Sequence, residues 1–206
     1  MFILIIINNI YMFQIYIIIM NTYFWEEIHM KKIYIFSDAA SFHNGKPDAL
    51  GTCATLFVNE EFKLIGKRLK AFDKSTNNYN ELMGVILGLK EMKDFVEKNP
   101  NEIGVIEIIS DSEYTILGAR DRLNKWIKNG WRNSSGEIKN LDLWKLLNEY
   151  KIYFARKRII LQFNWLRGHK GKNITLKDDP YTYYQEMADS LAVEYKERAL
   201  KIRNGE

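Results

Sequence analysis

The stretches IYIFSD (33–38) and VIEIISD (105–111) are short apolar runs that each end in an aspartate. Short runs rich in isoleucine predict buried strands. Two further acids, Glu81 and Asp189, lie in amphipathic stretches with helical spacing. Because strands and helices alternate along the chain, we expect an α/β fold whose element ends gather these four carboxylates.

Four neighbouring carboxylates would repel one another, which raises their pKa values unless a cation is bound. Hard divalent ions such as Mg²⁺ prefer carboxylate oxygens and keep waters for a phosphate substrate. The pattern therefore predicts a metal-dependent phosphodiester site. The alternative is that the acids are helix caps or surface charges, and acids are favoured near helix N-termini. The candidate residues are Asp38, Glu81, Asp111 and Asp189.

From Met30 onward, hydrophobic periodicity predicts the element order βββαβααβα. We expect a five-stranded mixed sheet, with three antiparallel strands followed by two parallel strands and with helices on both faces. The strands are expected at 32–38, 49–60, 62–72, 103–110 and 158–166. Helices are expected from the capping cluster 75–80 to about Val96, at 112–128, at 141–157 and from Pro180 to about Arg203.

The chain has 206 residues, 47% of them hydrophobic, and a net charge of +4. Residues 1–30 contain two acids and no Lys or Arg, so the rest of the chain carries +6. A basic domain with an acidic pocket suits a polyanion, although a solvated surface is an alternative. Cys53 is the single cysteine, which excludes a disulfide framework and indicates a reducing, cytoplasmic location.

The segment MFILIIINNIYMFQIYIIIM (1–20) is close to the length that spans a bilayer. It lacks the basic start and the cleavage site of a secretory signal, and no basic cluster flanks it. We interpret residues 1–29 as an apolar extension produced by an over-extended start. A membrane anchor through residues 1–20 and an additional packed segment are the alternatives.

Six short motifs follow one another within residues 32–198. They are SDAA (37–40), STNNYNELMG (75–84), IISDSEYTI (108–116), WIKNGWRNSSGEIKNLDLW (126–144), WLRGHKG (165–171) and EMADSLA (186–192). In this order they resemble the signatures of type 1 ribonuclease H, the ribonuclease HI family of the ribonuclease H-like superfamily. The resemblance implies a ribonuclease H domain at 30–200, followed by a tail at 201–206. We expect the protein to be a monomer, although the sequence itself does not determine the oligomeric state.

The resemblance also implies the reaction. The RNA strand of an RNA–DNA hybrid would be cut endonucleolytically with two Mg²⁺ ions, or Mn²⁺, to give 5′-phosphate and 3′-hydroxyl ends. Asp38 would bridge both ions, and Asp189 would join it on the ion that lowers the pKa of the attacking water. Glu81 and Asp111 would hold the second ion, which stabilises the departing 3′-oxygen.

His169 and three residues before Glu81 are further candidates. His169 lies just beyond the last strand, where an imidazole can shuttle a proton or help to release product; a plain surface histidine is the alternative. Thr76, Asn77 and Asn78 are expected to contact nucleic acid, and the resemblance favours Asn77 as the residue that reads the RNA 2′-hydroxyl. The alternative role of Asn77 and Asn78 is capping of the following helix.

Residues 118–140 contain six basic residues and two tryptophans. The segment resembles the basic protrusion with which many family members grip the DNA strand, although a solvated helix face is the alternative. Phosphate contacts of this kind give affinity without sequence information. Trp126 is expected to be structural. The candidate contacts are Arg120, Arg122, Lys125, Lys128 and Trp131, with Arg132 and Lys139 also basic.

The chain departs from the family pattern in three places. Ala39 and Ala40 stand where the family has Gly and Ser, Gln185 stands where it has Asn, and the segment 170–184 is long. The rival functions are a catalytically weak nucleic-acid-binding module and a related metal-dependent nuclease for DNA junctions or single strands. A membrane-anchored nuclease would depend on residues 1–20.

Overall fold

The computed structural model describes residues 31–133, 136–168 and 174–205. The expectations for residues 1–29 and for His169 lie outside these ranges. No helix within these ranges is long and apolar enough to cross a membrane. The strands are β1 (Lys31–Phe42), β2 (Leu50–Asn59), β3 (Leu64–Asp73), β4 (Ile103–Ser110) and β5 (Ile160–Trp165). The helices are α1 (Asn77–Lys98), α2 (Glu113–Leu117), α3 (Leu123–Lys128), α4 (Leu141–Arg156) and α5 (Pro180–Asn204).

The five strands form one mixed sheet in the order β3-β2-β1-β4-β5. β1 pairs antiparallel with β2, and β2 pairs antiparallel with β3. β4 runs parallel to both β1 and β5. This arrangement confirms the predicted fold class.

β1 is longer than the predicted strand 32–38. Its pairing with β4 ends at Phe36 and Ile109, whereas its pairing with β2 continues as far as Phe42. The prediction that Asp38 ends the strand was therefore wrong, because the β1–β2 hairpin extends the strand by four residues. Asp38 keeps a strand neighbour on its β2 side, where it is paired with Ala54.

Different helices cover the two faces of the sheet. Side chains alternate along β1, so that Ile33 and Ile35 point to one face and Tyr34 and Phe36 to the other. The first face packs against α1 to α4 in the larger core. The second packs against α5, where Tyr184 is buried beside Phe36.

The helix predicted at 112–128 has a π-helical turn at Gly118–Arg122 between α2 and α3. There the Leu123 amide donates a hydrogen bond to the Gly118 carbonyl, five residues back. Gly118 faces the buried ring of Trp144 so closely that an added Cβ would lie 2.2 Å from it. The Ala119 carbonyl also accepts a hydrogen bond from Lys151 Nζ at 3.0 Å. These contacts with α4 accompany the wider turn, which a periodicity argument cannot detect.

Candidate active site

Asp38 and Asp111 lie where β1 and β4 separate. Phe36 and Ile109 are the last parallel pair, so two further residues along each strand bring the two aspartates level with each other. The Asp111 carbonyl accepts a hydrogen bond from Trp165 Nε1 at 2.9 Å. The separation of the strands thus places two carboxylates at one edge of the sheet.

The Asp38 carboxylate is buried, with 7% of the residue exposed. Its Oδ1 accepts a hydrogen bond from the Ala39 amide at 2.6 Å, and its Oδ2 accepts one from Gln185 Nε2 at 2.9 Å. Burial raises the pKa of Asp38 to about 8, and the Asp111 and Asp189 carboxylates add to the rise against these two hydrogen bonds. Ionised Asp38 is therefore unfavourable in this site until a positive charge approaches it.

Glu81 lies in the second turn of α1, and two hydrogen bonds orient its carboxylate. Oε1 accepts from Asn77 Nδ2 at 2.6 Å, and Oε2 accepts from Ser112 Oγ at 2.5 Å. Ser112 is also the N-cap of α2, so Glu81 connects the starts of two helices. Burial raises the pKa of Glu81, and the Asp111 carboxylate raises it further, while both hydrogen bonds lower it.

Asp189 projects from α5 four residues after Gln185, which places both on one face of the helix. The Asp189 and Asp111 carboxylates both raise the pKa of Asp38, and the Asp111 carboxylate also raises the pKa of Glu81. Electrostatic contacts therefore connect all four acids through Asp38 and Asp111.

The donor set has the chemistry of a site for hard cations, because it consists of carboxylate oxygens that repel one another. In the ranges that the structure describes, no three His, Cys, Asp or Glu side chains are already arranged around a common metal position. Asp38 and Glu81 are turned instead towards the hydrogen-bond donors named above. Divalent ions fit this site by charge and ligand type.

Gly168 marks where the segment after β5 passes the site. A Cβ added at this residue would lie 2.4 Å from Asp111 Oδ2, so a side chain here would displace the carboxylate or the backbone. The backbone at 168 therefore packs directly against Asp111. The next residue, His169, lies outside the described ranges.

The departures from the family pattern have structural roles. Ala40 is buried in a small cluster with Ala54 and Ala192, where α5 approaches β1 and β2 closely. Alternation along β1 places its methyl group on the same face as Asp38, towards α5. Ala39 lies on the opposite, half-exposed side of β1. Gln185 supplies a hydrogen bond to Asp38 directly.

Thr76, Asn77 and Asn78 lie at the start of α1. Thr76 is the N-cap, and its side chain accepts a hydrogen bond from the Tyr79 backbone amide, which confirms the capping cluster predicted at 75–80. Asn77 is half-buried and Asn78 is exposed. All three line an open pocket of about 720 Å³ between the starts of α1 and α4.

The pocket contains polar residues that the sequence argument missed. Asn44 lies in the loop after β1, and its Oδ1 accepts a hydrogen bond from the backbone amide of Asn77 at 2.9 Å. Asn140 precedes α4 with a left-handed backbone (φ 55°) and donates to the Tyr114 hydroxyl. Asparagine tolerates this conformation better than most residues, and its place just before a helix was the available signal.

The basic side chains of this segment differ in their surroundings. Lys125 and Lys128 are exposed on α3. Arg120 forms an ion pair with Asp121. Arg122 donates to the carbonyls of Glu113 and Tyr114 and lies 5.9 Å from the rings of Tyr114 and Trp126, so it supports the fold.

The two tryptophans of this segment pack inwards to different degrees. Trp126 is buried against Trp144, as expected for a structural residue. Trp131 is half-buried beside the same core, and Lys145 lies 5.9 Å from its ring. Part of Trp131 thus stays available at the surface, beside the Lys145 side chain.

Comparison with known proteins decides the family. The family profile described as RNase H matches residues 30–197. The chain belongs to the ribonuclease H family. A ribonuclease H from Orientia tsutsugamushi (strain Boryong) is 32% identical over 171 residues, which cover 82% of this chain and 85% of the relative. A ribonuclease HI from Haemophilus ducreyi (strain 35000HP / ATCC 700724) is 30% identical over 165 residues, covering 79% and 89%.

Solved structures show the same fold at low sequence identity. The RNase H domain of PFV superimposes with a TM-score of 0.61 at 20% identity, covering 81% of this chain and 94% of that domain. LC9-RNase H1, a type 1 RNase H with the type 2 active-site motif, gives 0.61 at 21% identity and covers 81% and 72%. LC11-RNase H1, solved in complex with an RNA/DNA hybrid, gives 0.53 at 17% identity and covers 82% and 99%.

Proposed function

We propose that this chain is an endoribonuclease that cuts the RNA strand of RNA–DNA hybrids with two Mg²⁺ ions, for which Mn²⁺ can substitute. The products carry 5′-phosphate and 3′-hydroxyl ends. The observation that carries the proposal is the buried Asp38 carboxylate, which faces Asp111 and Asp189 and has a pKa raised to about 8. Ribonucleases H generally use divalent ions, and the LC11-RNase H1 complex contains an RNA/DNA hybrid, which supports this substrate.

The four acids Asp38, Glu81, Asp111 and Asp189 are the proposed metal ligands. Bound divalent ions supply an activated water and neutralise the charge that develops on the leaving oxygen. The protein contributes orientation. Gln185 and the Ala39 amide hold Asp38, while Asn77 and Ser112 hold Glu81.

Substrate recognition is assigned to the pocket at the start of α1. Asn77 and Asn78 lie beside Glu81 and present amides, which can both donate to and accept from a 2′-hydroxyl. Asn44 and Asn140 contribute further polar groups to the lining of the same pocket. We assign His169 to proton transfer or product release, on its position in the motif RGHKG and its imidazole chemistry.

A substrate comparison tests the function. The full chain is incubated with labelled RNA–DNA hybrid, duplex RNA and duplex DNA in Mg²⁺, in Mn²⁺ or in EDTA. We expect metal-dependent cutting of the RNA in the hybrid alone. The pocket at Asn77 is proposed to contact a 2′-hydroxyl, which duplex DNA lacks, and the basic segment is proposed to hold a DNA strand, which duplex RNA lacks. Tight binding without cutting would instead identify a nucleic-acid-binding module. Cutting of DNA would identify a different metal-dependent nuclease.

Salt dependence tests the basic segment. We expect Lys125→Ala/Lys128→Ala to weaken hybrid binding and to make the slope of log K against log[salt] shallower by about two, since each lost phosphate contact removes about 0.9 from the slope. Fluorescence anisotropy in EDTA at several salt concentrations measures the slope without cleavage.

A matched variant controls for the change in net charge. Lys98 ends α1 and Lys157 follows α4, so both lie at the helix ends opposite the pocket. Lys98→Ala/Lys157→Ala removes the same charge and should leave the slope close to that of the wild type. Equal slopes in all three proteins would show that α3 does not contact the phosphates.

A further inference from the structure

The side-chain amide of Asn77 is held at both ends. Its Nδ2 donates to Glu81 Oε1 at 2.6 Å, and its Oδ1 accepts from Ser41 Oγ at 3.0 Å. An ionised carboxylate can only accept hydrogen bonds, so the nitrogen is the end that faces Glu81. The orientation of this amide therefore depends on the hydroxyl of Ser41.

The Ser41 hydroxyl has one proton, and its neighbours decide where that proton points. Asn80 Nδ2 donates to Ser41 Oγ at 3.1 Å. Because an amide nitrogen only donates, the hydroxyl must accept at this contact, and its own proton is left for Asn77 Oδ1. The hydrogen bonds run in one direction, from Asn80 through Ser41 and Asn77 to Glu81.

Asn80 is a rigid start for this relay. It is fully buried in α1, and the backbone of β2 packs directly on it, since a Cβ at Gly51 would lie 1.8 Å from Asn80 Nδ2. Its Oδ1 has no hydrogen-bond partner among the described residues. A buried amide with an unpaired oxygen destabilises the folded state, whereas an apolar side chain of similar size at the same position would not. This cost indicates a role for Asn80 outside packing.

We propose that Ser41 and Asn80 are positioning residues that fix the Asn77 amide so that it acts as a hydrogen-bond donor to the 2′-oxygen of the RNA strand. The inference rests on the proposed function and specifies how the site distinguishes RNA from DNA. Asn77 Nδ2 has a second proton beyond the one given to Glu81, while Oδ1 is already engaged by Ser41. A flipped amide would turn its oxygen towards Glu81 and lose that donor.

Hybrids in which single ribonucleotides are replaced by 2′-deoxynucleotides test this inference. Binding is measured in EDTA, where no cleavage occurs. In the wild type we expect one position at which the replacement weakens binding about three- to tenfold, the range for one lost hydrogen bond. Ser41→Ala and Asn80→Leu should each reduce this penalty to less than about twofold, because the amide is no longer held.

Two further variants separate positioning from stability. Ser41→Thr keeps the hydroxyl and should restore the full penalty. Ser75→Ala removes another buried hydroxyl beside Gly51, one that donates to the Phe72 carbonyl, and should leave the penalty unchanged. Thermal unfolding confirms that each variant is folded, and Asn80→Leu should be at least as stable as the wild type.

The outcomes are distinct. An equal penalty in the wild type, Ser41→Ala and Asn80→Leu overturns the relay. If the wild type cuts the hybrid but no position shows a penalty, the relay is overturned and the proposed function stands. If the wild type neither cuts the hybrid nor shows a penalty, both are overturned.

Discussion

Replacing Asp38 with Asn is expected to reduce hybrid cleavage by about a thousandfold or more, because losing several kcal/mol of transition-state stabilisation costs a factor of ten for about every 1.4 kcal/mol. The variant should fold normally. Gln185 Oε1 has no hydrogen-bond partner among the described residues, so a flip of the Gln185 amide lets it accept from the new amide nitrogen at position 38. Steady-state cleavage of a labelled hybrid in Mg²⁺ measures the loss.

Asp73→Asn is the matched control for this variant. Asp73 is an exposed acid at the end of β3, so its replacement makes the same charge change in the same sheet. Its activity should stay close to that of the wild type. Activity of Asp38→Asn within tenfold of the wild type would remove Asp38 from the catalytic group.

Without divalent ions, the stability of the protein is expected to fall as the pH rises from about 4 to about 8. The pKa of Asp38 is raised in the folded state, from its ordinary 3.8 to about 8. Its contribution to stability is therefore fully present below pH 3.8 and is lost as the pH rises through 8. Ionisation of Asp38 alone should destabilise the fold by on the order of 5 kcal/mol.

Denaturant unfolding in EDTA at several pH values measures this effect. Asp38→Asn removes the titrating group, so the variant should become more stable relative to the wild type as the pH rises. At pH 8, Mg²⁺ should raise the free energy of unfolding of the wild type more than that of the variant, because a ligand stabilises the state that binds it. The free energies of unfolding of the wild type and of Asp38→Asn could instead differ by the same amount at every pH. Ionisation of Asp38 would then carry no cost in stability.

The topology could be predicted from the sequence because its signals are local. Isoleucine-rich runs give the buried strands, and the capping cluster before α1 fixes the start of that helix at Thr76. The positions of Asp38 and Asp111 follow from these strands once they lie parallel. The four acids could thus be predicted together from the sequence.

The partners that orient the acids could not be predicted, because they depend on contacts between distant parts of the chain. Gln185 donates to Asp38 across 147 residues, yet in the sequence it is simply a departure from a motif. The hydrogen bonds from Arg122 to the carbonyls of Glu113 and Tyr114 could not be predicted from the sequence either. The extension of β1 beyond Asp38 likewise depends on pairing with β2.

β1 pairs with β4 as far as Phe36 and with β2 as far as Phe42. This pairing limits where the chain can gain or lose residues during evolution. Strand side chains alternate, so an insertion or deletion of one residue before Asp38 would turn every following side chain to the opposite face. Ser37 or Ala39 would then occupy the position of the carboxylate, and Phe36 would leave the core. Changes of length are tolerable in the turn at 43–49, where the backbone leaves the sheet, but not within residues 31–38.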